Sequence, residues 1–168
     1  MGKVLSAFGN GCPGAVSRAV DDVVISMKNA GSAEIEFGAP VFISADRTGA
    51  VAFDPASPQD FADFLGFAVR VADKTPDRYP AGPFDPQPQG AWQPGDPMDI
   101  LVRGSIAVKM SGTTRPAGRV YVRKSDGAVT ASAGSEGTTV ELENVRVRRA
   151  RLESNGCAEL VVLRRNIQ

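Results

Sequence analysis

The chain has 168 residues, 42% of them hydrophobic, with 19 basic and 19 acidic side chains. That length suits one domain that hides roughly 70% of its unfolded surface, and zero net charge argues against a general nucleic-acid or polyanion binder. Histidine is absent, which excludes a Ser-His-Asp triad, an HExxH zinc site and a Cys-His dyad. Cys12 and Cys157 are the only cysteines; they cannot form a four-cysteine metal site and are expected as free thiols. No apolar run approaches the roughly 18 residues of a membrane span. Residues 1–5 lack the apolar stretch of a secretory signal. Composition therefore points to a soluble protein that is not an enzyme and needs no metal or cofactor.

The 18 glycines and 12 prolines suit many short strands joined by turns. Charge is unevenly placed. Residues 1–100 carry 13 acidic and 7 basic side chains, a net of −6; residues 101–168 carry 6 acidic and 12 basic, a net of +6. Intermingled strands of one small barrel would mix the two halves. A polar subunit would keep them apart and present each to a neighbour.

Residues 1–32 read as an N-terminal arm. Its first half is glycine-rich. Val16, Val20, Val23, Val24 and Met27 then fall near helical spacing. Three consecutive β-branched residues, Val23 to Ile25, oppose a helix. The expectation is an extended arm with one or two helical turns, laid across another surface.

From Ile35 the pattern is β, and residues 33–168 read as one β-barrel domain. Val41 to Ser44 is a strand, Asp46 to Gly49 a turn, and Val51 to Phe53 a return. Ser57 and Pro58 suit the start of a short helix with an apolar face at Phe61, Phe64 and Leu65. A strand resumes from Gly66 to Val71. Seven prolines between Pro76 and Pro97 then forbid a central strand, so residues 74–98 read as a proline-rich loop insertion. It carries Tyr79, Phe84 and the only tryptophan, Trp92. These rings either pin the loop to its own barrel or form a contact arm.

Ile100 and Val102 alternate, Gly104 interrupts, and Ile106, Val108 and Met110 alternate again. A glycine between two such runs predicts a bulge or corner. Val120 to Val122 and Val129 to Ala131 are further strands. Val145 and Val147 alternate before the phase slips at Arg148-Arg149, predicting another bulge. Asn155-Gly156 is a two-residue hairpin signal leading into a strand from Leu160 to Leu163. Arginines 146, 148, 149, 151, 164 and 165 crowd this hairpin, either as a solvated face guarding an edge or as contacts to acidic protein. An internal echo links residues 39–51 (APVFI…DRTGAV) to residues 118–129 (GRVYV…SDGAV), and implies two related strand-turn-strand units.

Carboxylate pairs at Asp21/Asp22, Asp60/Asp63 and Glu141/Glu143 read as solvated surface, and no P-loop or GxGxxG appears. The order of weak motifs is more informative. A Gly-rich arm precedes Phe37-Gly38-Ala39-Pro40-Val41 and the turn Thr48-Gly49. Phe64 to Val69 (FLGFAV), Asp99 to Val108 (DILVRGSIAV), Pro116 to Val122 (PAGRVYV) and Asp126-Gly127 follow, and an Arg-rich strand closes the chain. This order resembles the head decoration, or structural cement, proteins of tailed bacteriophages over most of residues 35–165.

The resemblance implies a mainly β, tulip-like barrel or sandwich that assembles as homotrimers, binds the major capsid protein on the outer capsid surface and stabilises the lattice. It implies no nucleic-acid or membrane partner, and assembly in the host cytoplasm. The residues expected at capsid or subunit interfaces are Phe8, Val20, Val24, Met27, Tyr79, Phe84, Trp92, Arg148 and Arg149, with Trp92 the leading anchor. A phage tail or neck component, and a β-sandwich carbohydrate-binding module using Trp92 and Tyr79, are the alternatives.

Overall fold

The computed structural model describes residues 11–56, 59–71, 90–150, 156–164 and 166, apart from the side chains of residues 18–20. Eleven strands lie within them: β1 (Val16–Lys28), β2 (Ile35–Glu36), β3 (Pro40–Ile43), β4 (Ala50–Ala52), β5 (Phe64–Ala68), β6 (Ala91–Trp92), β7 (Pro97–Lys109), β8 (Arg119–Arg123), β9 (Val129–Thr130), β10 (Thr139–Arg149) and β11 (Cys157–Val162). Nine of them form one sheet in the order β4-β3-β5-β7-β11-β10-β8-β9, with β1 also paired to β7. β2 and β6 form a separate two-stranded sheet. The large sheet curls strongly into a half-barrel, so the mainly β expectation holds.

Strand β7 is the hub, pairing antiparallel with β1, β5 and β11. It also divides two cores. Before Gly104, the even residues Met98, Ile100 and Val102 enter one cluster with Ile35, Phe37, Val41, Ala68 and Trp92. After it, the even residues Ile106, Val108 and Met110 enter the other, with Phe42, Phe67, Val122, Leu142 and Leu160. Gly104 has φ +124, and a Cβ there would lie 2.0 Å from the Asp22 carboxylate. Only glycine fits that backbone and that contact, and the alternation inverts across it. The predicted corner is thus a point where one strand changes the core it serves.

Next to this hub the sheet is buried on both faces. Phe42, Phe67 and Leu101 face the curl; Val41, Ala68 and Ile100 face the opposite cluster. The small β2–β6 sheet contributes Ile35 and Trp92 to that second cluster, where Ile25 and Met27 of β1 also pack. A strand buried on both faces shows no polar alternation, which is why the runs here read as continuous apolar sequence.

Several expectations change. Val16–Lys28 forms no helical turns; it is a strand of the main sheet. The β-branched Val23 to Ile25 suit a pleated ladder, and pairing with β7 outweighs the helical spacing. The short helix is one 3-10 turn, Phe61–Asp63, capped at Asp60, whose N–H donates to the Asp63 carboxylate; Ser57 and Pro58 lie outside the described residues. Within the proline-rich segment, Trp92 belongs to β6 and Pro97 opens β7. Asn155 of the expected hairpin lies outside the described residues; the last pair before it is Arg149 with Glu159. The bulge beside Arg148 is present, as a register shift between Val147 and Arg149.

The internal echo corresponds to the hairpins β3–β4 and β8–β9, which stand at opposite ends of the sheet order. Their turns share a device. Asp46 accepts from the Ser44 and Thr48 hydroxyls and the Thr48 N–H, and Asp126 accepts from Arg123 and the Ala128 N–H.

Candidate interaction surface

Strands β8 to β11, with Arg119, Arg123, Arg146, Arg148 and Arg149, lie on one side of β7 in the sheet order; β3, β4 and β5, which hold no charged residue, lie on the other. β1, from the acidic part of the chain, pairs with β7 and reaches Glu159 of β11 through Ser17, so the two halves of the chain meet.

The basic side carries a built ionic cluster. Glu159, 4% exposed, lies between Arg148 and Arg149, with N–O distances of 3.8 and 3.7 Å. Ser17 of β1 donates to Glu159 Oε1 at 2.9 Å, and Arg148 Nη1 donates to Ser105 Oγ at 2.9 Å. The arginine side chains remain 42% and 62% exposed. Two cations on one carboxylate leave an exposed positive surplus. The arginines therefore guard no edge, since β10 lies between β8 and β11. They fasten three strands, and their outer faces stay exposed.

The other expected contact residues do not converge with these. Val24 is 44% exposed on β1, whereas Met27 is half-buried against the second core. Trp92 requires correction as an anchor. It is 5% exposed, stacks edge-on to Phe37 at 6.0 Å and donates its indole N–H to the Val69 carbonyl at 3.1 Å. A tryptophan with its N–H satisfied and its ring packed is a core residue, so the ring is not offered to a neighbour. Phe8, Tyr79 and Phe84, and the side chain of Val20, lie outside what is described.

A groove of about 550 Å³ opens where the ends of the curled sheet approach each other, between Phe37, Pro40 and Phe53 on one wall and Met110, Arg123 and Val129 on the other. A Cβ on Gly127, in the β8–β9 turn, would stand 3.0 Å from Phe53, just beyond β4. Sequence reasoning missed this approach, because no local signal joins positions so far apart. Cys12 and Cys157 are free thiols, and burial pushes the Cys157 thiol up from its ordinary range.

A curled, mainly β chain with two packed cores and an exposed basic cluster has the build of an interaction protein. The comparisons agree. The sequence matches the family described as "Structural cement protein (E217 gp24/Pam3 gp6)" over residues 3–166. The chain belongs to this family of phage structural cement proteins. A solved structure, "The capsid of Myoviridae Phage XM1", contains a similarly folded chain at a TM-score of 0.66 and 16% identity, covering 98% of this chain and 96% of that one. No curated protein matches the sequence.

Proposed function

We propose that this protein binds the outer surface of a phage capsid and stabilises the lattice through interfaces with the major capsid protein and with copies of itself, without catalysis. The observation that carries this reading is the family match, which runs through nearly the whole chain. A ligand that binds the assembled lattice and not the dissociated subunits stabilises the lattice by mass action. Bridging two capsomers adds avidity, because the second contact is intramolecular. Copies joined head to tail would close a ring as a homotrimer. In this reading residues 1–32 contribute contacts from a segment whose strand, β1, is itself built into the sheet. The exposed contact candidates are Val24, Arg148 and Arg149.

The carbohydrate-binding alternative is weakened, since Trp92, one of the two rings it relied on, is buried. The test is co-sedimentation of the purified protein with capsids that lack it, followed by heating. The expected result is saturable binding and a higher temperature of capsid disruption. Absence of binding, or binding without a shift in disruption temperature, overturns the proposal.

A further inference from the structure

The only two cysteines of the chain stand near opposite ends of the sequence, and the fold brings them to one place. Cys157 opens β11 opposite Lys109, and Glu159 stands opposite Ala107. Facing residues of an antiparallel ladder share a side, so Cys157, Glu159, Ala107 and Lys109 lie on one face of the sheet. Ile106, Val108, Ala158 and Leu160 enter the first core from the other face. Ala107 and Cys157 belong to neither core, yet they are 0% and 1% exposed.

The segment that precedes β1 lies over this spot. Gly14 N–H donates to Ala107 O at 2.8 Å, Ala107 N–H donates to Ala15 O at 2.9 Å, and Ala15 N–H closes a tight turn on the Cys12 carbonyl at 3.0 Å. Arg70 N–H donates to the Gly14 carbonyl at 2.8 Å, which pins the turn from its other side. The turn carries the chain back over the outer face, where a Cβ on Gly11 would stand 3.6 Å from the Ala107 Cβ. Pro13, on the far side of Cys12, lines the groove together with Lys109 and Gly156. Cys12 therefore sits between a residue above Ala107 and a residue beside Gly156. Cys157 is the diagonal neighbour of Ala107 across the ladder and the chain neighbour of Gly156. Burial, and after it the nearness of Cys12, push the Cys157 thiol above its ordinary range.

We propose that Cys12 and Cys157 are a disulfide-forming pair, which a low-molecular-weight disulfide oxidises to one intramolecular bond stapling the entry of β1 to the last strand. Cys12, half-buried, is the thiol that solvent reaches, whereas Cys157 is buried. The Cys12 thiolate attacks one sulfur of the small disulfide, and one small thiol leaves. The Cys157 thiolate then attacks the Cys12 sulfur, and the second small thiol leaves. The protein gives up two electrons and two protons, and the small disulfide takes both. This order follows from access, because only the second attack happens beneath the turn. The new bond closes a loop of nearly the whole chain, where the entropy removed from the unfolded state is largest. It is a property of the isolated chain and does not rest on the cement reading.

The test is incubation of the purified, reduced and folded full chain with glutathione disulfide, read by intact mass, by peptide mapping without reductant and by thermal melting. The expected product is a single chain lighter by the mass of two hydrogen atoms, with a peptide linking Cys12 to Cys157 and no retained glutathione. Its melting temperature should be higher by roughly 5 °C or more, and reductant should reverse the change. Closure should run faster toward alkaline pH, as Cys157 ionises. Cys157→Ala should stop at a glutathione adduct on Cys12, and Cys12→Ser should react about tenfold or more slower than wild type, because the remaining thiol is buried. Two glutathiones retained on each chain, a disulfide between chains, or a linked peptide that forms only in denaturant overturns the proposal.

Discussion

The terminal hairpins β3–β4 and β8–β9 and the strand β1 are all edges of one sheet, treated in opposite ways. The hairpin edges are short, with β4 three residues long and β9 two, and a bridge ties each back to the body. β1, with 13 residues, is more than four times longer, and among the described residues it ladders only with β7, although its last residue, Lys28, abuts Gly49. Yet β1 is no loose appendage, because Ile25 and Met27 pack on the second core and Ser17 reaches buried Glu159. One face of it belongs to the fold, while its edge is left open. The two short edges are tied back, while most of the longest has no second ladder among the described residues.

The largest effect expected on that comparison comes from Trp92→Ala. It empties the core on which β1 packs and orphans the Val69 carbonyl, which should cost about 3–5 kcal/mol by the usual scale for buried aromatics. Chemical denaturation measures this, and hydrogen exchange should show β1 amides losing protection with the rest. A stability unchanged within error would put Trp92 back at an interface. Gly104→Ala comes next: the φ of +124 and the contact with Asp22 should cost roughly 1–3 kcal/mol. Exchange should rise first around residues 19–23, where β1 crosses this point.

A single type of substitution then separates the two kinds of edge. Ser111→Pro removes the donor that closes β9 and should cost about 1–3 kcal/mol, because a buried carbonyl loses its partner. Val24→Pro removes a donor that points away from β7, since the alternation set by Asn29 N–H on the Asp96 carbonyl turns Val24 outward; it should cost roughly 1 kcal/mol or less. Equal losses in thermal melts would erase the distinction between closed and open edges.

The smallest effect is a pH dependence of the turns. The hydroxyls of Ser44 and Thr48 lower the Asp46 pKa from 3.8 to about 2, and the Arg123 guanidinium lowers that of Asp126. A carboxyl depressed on folding stabilises above its unfolded pKa and loses that contribution as pH falls through its folded one. The β3–β4 turn should therefore loosen between about pH 4 and pH 2, and the β8–β9 turn as pH falls below the ordinary carboxylate range, seen as shifts of the Thr48 and Ala128 amide resonances. Asp46→Asn should abolish the shift at Thr48 and leave Ala128 unaffected. Retention of the Thr48 shift would show that another group titrates there.

The mainly β class, the β3–β4 and β8–β9 units, the glycine corner and the bulge at Arg148 were legible in the sequence, because each is a local rule. Alternation, turn chemistry and a residue without a Cβ act within a few positions of themselves. The family was legible too, through the order of such motifs. Partners distant in the chain decided the rest. Val16–Lys28 is a strand because β7 offers it a ladder, which outweighs its helical spacing. Trp92 is core because residues 35–37 fold over it, although its proline-rich surroundings suggested a loop. The arginines of β10 are occupied because Glu159 arrives from the next strand. The charge imbalance could be counted from the sequence, but only the sheet order showed that strands β3, β4 and β5 carry none of the acidic residues and that β1 meets β11 through Ser17 and Glu159. Burial, edge status and ionic pairing are properties of which strands become neighbours. That choice rests on the free energy of the whole packed sheet rather than on any one segment.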